Sequence, residues 1–189
     1  PRNRKKYQKY ASFVGLSNEE LSEWKRNYVY LLKKVTLQLK GKRLLLKSPT
    51  NTSRIKELLE IFPNAKFIHI CRDPYKVYIS TKRLYDNFFP VFELQERVTP
   101  EESEEIQFEI YEEMYTKYFL EKDLIPKGNL IEIKYEDVVS DPLGNMERIY
   151  KELNISGLET ALPFMKKYID SLKGYKPNMH VIEPRLKEK

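Results

Sequence analysis

The chain has 189 residues, 41% hydrophobic and 33% charged, the proportions of a globular protein long enough to bury a core. No apolar run approaches the roughly 20 residues of a membrane span, and the basic start over residues 1–6 has no apolar stretch behind it, so it does not read as a secretory signal. The formal net charge of +6 gathers largely in residues 2–9 and 185–189; with no nucleic-acid recognition motif beside it, it points to a nucleotide-sized polyanion rather than to RNA or DNA.

Ser17-Asn18-Glu19-Glu20 is a Ser-x-x-Glu capping box. Leu21, Trp24, Tyr28, Leu31, Leu32, Val35 and Leu39 then recur at helical spacing until Gly41. Residues 43–47, Arg-Leu-Leu-Leu-Lys, read as a short buried strand, and a polar turn over residues 48–52 leads into a helix with Ile55, Leu58, Leu59 and Phe62 inward. Pro63-Asn64 turns into a second strand, Lys66 to Cys71, and the next helix starts at Asp73-Pro74 and runs to about Tyr85.

Residues 86–102, with Pro90 and Pro100, read as irregular. A long amphipathic helix follows with Ile106, Ile110, Met114 and Tyr118 on one face. Pro126-Lys127-Gly128 turns into a strand over Leu130 to Tyr135, Asp141-Pro142 opens another helix, and a last helix carries Leu162, Met165, Ile169 and Leu172 as far as Gly174. The tail from Tyr175 reads as extended.

Strands alternating with helices predict an α/β fold, a parallel sheet covered on both faces. Ligands of such sheets sit beyond the carboxyl ends of the strands. Three polar clusters follow predicted strand ends, after Leu46, after Cys71 and after Lys134, and together predict one binding cleft in one domain. Cys71 is the single cysteine, which excludes intrachain disulfides and a cysteine-built zinc site and suggests a reducing, cytoplasmic setting. His69, alternating within a strand, reads as a core histidine, and His180 lies in the tail; neither belongs to a metal-ligand spacing or a Ser-His-Asp arrangement.

The second cluster, Arg72-Asp73-Pro74 with Ser80 eight residues after the arginine, carries the most chemistry. A strand running into a helix N-terminus is expected to leave backbone N–H groups facing an anion, and Arg72 adds a forked donor suited to phosphate. The ordinary alternative is a helix cap with an arginine paired to an acidic neighbour. The first cluster, Lys47-Ser48-Pro49-Thr50-Asn51-Thr52, has an equally plain alternative, a turn whose hydroxyls cap a helix. In the third, Tyr135-Glu136-Asp137 before Asp141-Pro142, the plain alternative is a helix start beside an edge-of-core aromatic.

Taken together, Phe62 to Ile70, Arg72-Asp73-Pro74 with Ser80, and Tyr135-Glu136-Asp137 before Asp141-Pro142 resemble the PAPS-dependent sulfotransferases of bacterial type, over about residues 43–155. The resemblance implies a P-loop-NTPase-like parallel sheet flanked by helices, with residues 1–42 as a helical lead-in, 43–155 as the nucleotide-binding core and 156–189 as a C-terminal helix and tail. It implies sulfuryl transfer from PAPS to a hydroxyl (or amine) on a small molecule, glycan or lipid, with PAP as product and no metal. Arg72 and Ser80 then bind the 3′-phosphate, Tyr135 contacts the adenine, and Lys47 stabilises the transferring group. Asn51 stands where the family has its basic histidine, and an amide takes no proton at neutral pH.

The family's loop for the 5′-phosphosulfate has no counterpart here. The resemblance therefore implies a C-terminal portion of a longer enzyme, incomplete at its N-terminal side and inactive alone. A kinase relative on a P-loop architecture and a non-catalytic nucleotide- or polyanion-binding module are the alternatives. The oligomeric state is not legible.

Overall fold

The computed structural model describes residues 4–88, 91, 98–172 and 174. His180 and the tail from Tyr175 lie outside the described residues, as does most of the segment around Pro90. The elements in chain order are α1 (Arg4–Ser12), α2 (Asn18–Gln38), α3 (Ile55–Ile61), β1 (Phe67–Cys71), α4 (Pro74–Asn87), α5 (Pro100–Glu121), β2 (Leu130–Lys134), α6 (Tyr135–Ser140), α7 (Pro142–Glu152) and α8 (Leu158–Ser171), with 3-10 turns over Pro49–Ser53 and Lys122–Leu124. This is an α/β chain with a small parallel sheet. It divides into two compact units, residues 1–65 with 95–125, and residues 66–94 with 126–189.

The first unit is helical. Ser17 caps α2 as its sequence predicts, accepting from the Glu20 N–H while the Glu20 side chain reaches back to the Ser17 N–H. The helix ends through left-handed Lys40 and Gly41, the Gly41 N–H donating to the Thr36 carbonyl at 2.9 Å. Ile55 and Leu58 of α3 are buried with Phe13, Leu32 and Tyr118.

Arg54 ties this unit together. Its guanidinium lies 4.4 Å from the Phe13 ring centre and 5.4 Å from that of Trp24, and it donates to the Tyr10 carbonyl. Burial lowers its pKa from the ordinary arginine value, opposed by nearby Tyr28 and Glu57. Beside it, the Lys117 ammonium meets both oxygens of Glu57 at 2.8 and 2.9 Å and Glu121 at 3.3 Å.

Three expectations fail in this unit, the first being that Phe62 turns inward, since it is exposed. Residues 42–48 form no strand, and Leu45 is 86% exposed. A strand exists only where a neighbour completes its ladder, and the one ladder among the described residues is β1 with β2. The irregular stretch expected to reach residue 102 ends earlier: Thr99 opens α5 with its own Thr-x-x-Glu capping box to Glu102, and Pro100 sits in the first turn, where its missing N–H costs nothing.

The second unit holds the sheet. β1 and β2 run parallel in the register Phe67↔Leu130 through Cys71↔Lys134. Ile131 and Ile133 of β2 pack with Ile149 of α7 and with Leu153 just past its end, and Ile68 of β1 joins them. The outward positions Glu132 and Lys134 are exposed. β2 therefore alternates as a strand covered on one face does, rather than reading apolar throughout as expected for a sheet covered on both. Asp141 caps α7 by accepting from the Gly144 N–H at 2.9 Å, as its sequence predicts.

Candidate active site

Parallel pairing decides where the second and third polar clusters meet. Cys71 and Lys134 are the last paired rung, so the next residue on each strand, Arg72 and Tyr135, emerges at the same carboxyl edge of the sheet. The Arg72 guanidinium carbon lies 4.3 Å from the centre of the Tyr135 ring, well inside the range of a cation–π contact. The Arg72 Nε is buried and has no hydrogen-bond partner among the described residues. The two residues singled out from different parts of the sequence are thus in direct contact.

Asp73 holds the entry to α4. Its Oδ1 accepts from the N–H groups of Tyr75 (2.9 Å) and Lys76 (3.2 Å), and its carbonyl accepts from Val77 at 3.0 Å. Pro74 has no N–H. The outward-facing donors expected for an anion at this helix N-terminus are therefore already taken, because an aspartate cap satisfies them and adds a negative charge of its own. Any anion here relies on side chains. Replacing Asp73 by alanine is expected to destabilise the protein by about 1 kcal/mol through loss of the cap, read as a lower urea midpoint at unchanged slope; an unchanged midpoint would show that the cap is dispensable.

Two further side chains belong to this edge. Lys76, in the first turn of α4, lies 3.8 Å from Glu136, which follows Tyr135 in α6. Ser80 is one turn further on from Lys76 in α4 and is half-buried. The Lys76–Glu136 pair is exposed, so it contributes little stability, yet it links the helix after β1 to the helix after β2. Lys76 carried no signal in the sequence, because its partner is 60 positions away in the chain.

The first cluster lies in the other unit. Lys47 is exposed on the irregular segment, and Asn51 is half-buried within the 3-10 turn Pro49–Ser53. The Asn51 backbone closes that turn, its N–H donating to the Ser48 carbonyl (3.1 Å) and its carbonyl accepting from the Arg54 N–H (3.3 Å). Ser53 is fully buried, its hydroxyl within reach of the carbonyls of Ala11 (2.9 Å) and Thr50 (3.0 Å). The hydroxyls of Ser48 and Thr50 bond to each other at 2.9 Å instead of capping α3. Ser53 and Arg54, which anchor the turn, carried no signal in the sequence beyond being polar.

His69 is half-buried in β1, in register with Glu132. Among the described residues no group of three or more His, Cys, Asp or Glu is placed to hold a metal ion, and no helix is long and apolar enough to cross a membrane.

The chain was compared with known proteins. The model of the sulfotransferase family matches residues 4–159. The omega-hydroxy-beta-dihydromenaquinone-9 sulfotransferases Stf3 of Mycobacterium bovis and of Mycobacterium tuberculosis are each 33% identical to it over 180 residues, which is 95% of this chain and 46% of the relative. The chain thus spans less than half the length of these relatives. No solved structure matches it. A family match over most of its length, meeting the Arg-Asp-Pro and Tyr-Glu-Asp segments at one sheet edge, places the chain in the sulfotransferase family.

Proposed function

We propose that this chain is part of an enzyme that transfers a sulfuryl group from PAPS to an acceptor hydroxyl or amine, releasing PAP. The observation that carries the proposal is the Arg72–Tyr135 pair at the carboxyl edge of the sheet, where nucleotide ligands of parallel sheets bind. In this reading Arg72 and Ser80 take the 3′-phosphate and Tyr135 belongs to the same pocket. Lys47 stabilises charge on the transferring group, and Asn51 occupies the position of the family's base. The residues belong to one sulfotransferase domain of P-loop-NTPase-like architecture, which the family match across both units supports. The acceptor in this reading is a lipid, glycan or small-molecule hydroxyl; the relatives, named for a hydroxylated menaquinone, favour a lipid.

A non-catalytic nucleotide-binding module is the second reading, favoured by Asn51, whose amide cannot serve as a base. Competition between PAP and ATP, followed by calorimetry, tests the proposal. PAP is expected to bind more tightly, because Arg72 and Ser80 address a 3′-phosphate while the chain carries no Gly-Lys-Ser/Thr for a triphosphate. Tighter binding of ATP would move a kinase relative ahead. Preference for PAP with no transfer by the full-length enzyme would favour the binding module.

A further inference from the structure

We propose that Tyr135 is a positioning residue that aims the Arg72 guanidinium at the 3′-phosphate, so that this aromatic sets the preference for a 3′-phosphorylated nucleotide rather than the grip on the base. The proposal rests on the PAPS reading above and gives Tyr135 a different task from the adenine contact that the family resemblance implies.

Three observations carry it. First, the ring face is already engaged: the guanidinium carbon sits 4.3 Å from its centre, so an adenine cannot stack on that face while Arg72 remains there. Second, the backbone donors at the start of α4 are consumed by Asp73, which leaves an anion at this edge to side chains, among them Arg72 with its forked donors. Third, the Arg72 Nε is buried without a hydrogen-bond partner, so its direction is not set through that atom. An arginine side chain has several rotatable bonds, and a contact that restricts them before binding lowers the cost of ordering it. The backbone that carries this ring is held between two elements, Tyr135 being the first residue of α6 immediately after β2. The Lys76–Glu136 pair links that helix to α4.

The test compares PAP with adenosine 5′-monophosphate, which shares the base, ribose and 5′-phosphate but lacks the 3′-phosphate. Tyr135→Phe keeps the ring face and is expected to leave both affinities within about twofold. Tyr135→Leu is expected to weaken PAP about three- to thirtyfold and to leave the monophosphate unchanged. In an Arg72→Ala background, Tyr135→Leu is expected to cost PAP nothing further, since there is no guanidinium left to aim. If Tyr135→Leu does not fold, pentafluorophenylalanine at position 135 keeps the shape and inverts the ring's charge distribution, and the same selective loss of PAP is expected. Equal losses for both nucleotides would overturn the proposal in favour of a base contact. An undiminished loss in the Arg72→Ala background would overturn it as well. A wild-type protein that does not distinguish PAP from the monophosphate would sink the PAPS reading itself, whatever the variants do.

Discussion

Replacing Lys117 by methionine is expected to lower the unfolding free energy by about 3–5 kcal/mol, the cost of leaving buried charge without its partner. Lys117 bridges Glu57 at 2.8 and 2.9 Å and Glu121 at 3.3 Å. Its side chain is 15% exposed, against 8% and 12% for the two carboxylates, so water cannot readily replace it. Glu121 also accepts the Lys56 N–H at 3.1 Å, near the start of α3, so the network joins α3 to α5. Urea unfolding followed by circular dichroism reads the effect. The double variant Lys117→Met with Glu57→Met is expected to recover part of the loss, because removing both partners removes a desolvation penalty together with the attraction. A loss below about 1 kcal/mol in the single variant would show that the carboxylates reach solvent.

Arg72→Ala is expected to weaken PAP binding by about 1.5–3 kcal/mol, the range for a hydrogen bond to a charged group. The value does not draw on the helix N-terminus, because the N–H groups of Tyr75 and Lys76 are already bonded to Asp73. Calorimetry on a variant with wild-type circular dichroism decides the matter. Unchanged affinity would take away the central residue of the proposed site. Arg72→Lys is a sharper control: an ammonium keeps the charge but neither the flat stacking face nor the forked donors, so it is expected to recover only part of the affinity.

Local rules were legible wherever a neighbour within four residues settled the structure. The Ser17–Glu20 capping box and the Asp73 and Asp141 caps follow from short-range chemistry and appear where their residues stand. Thr99 and Glu102 make a capping box by the same rule; reading the nearby prolines as marks of an irregular segment hid it. Residues 43–47 failed for the opposite reason. Three consecutive leucines look like a buried strand, but a strand is completed by a partner elsewhere in the chain, and no described strand pairs with them.

The candidate site divides along the same line. The residue types at Arg72, Ser80 and Tyr135, and their places after strand ends, were set by sequence alone, as was the family resemblance they carry. That Arg72 lies on the face of Tyr135 was decided only by the parallel register Cys71↔Lys134, which joins positions 63 residues apart. That Asp73 spends the first-turn donors of α4 was decided by its side-chain rotamer, and that Lys117 neutralises Glu57 by the packing of α5 on α3. Sequence determines which groups a chain can offer and the local bonds that chain proximity makes inexpensive. Long-range pairing, which must offset its own loss of chain entropy, determines which of those groups meet.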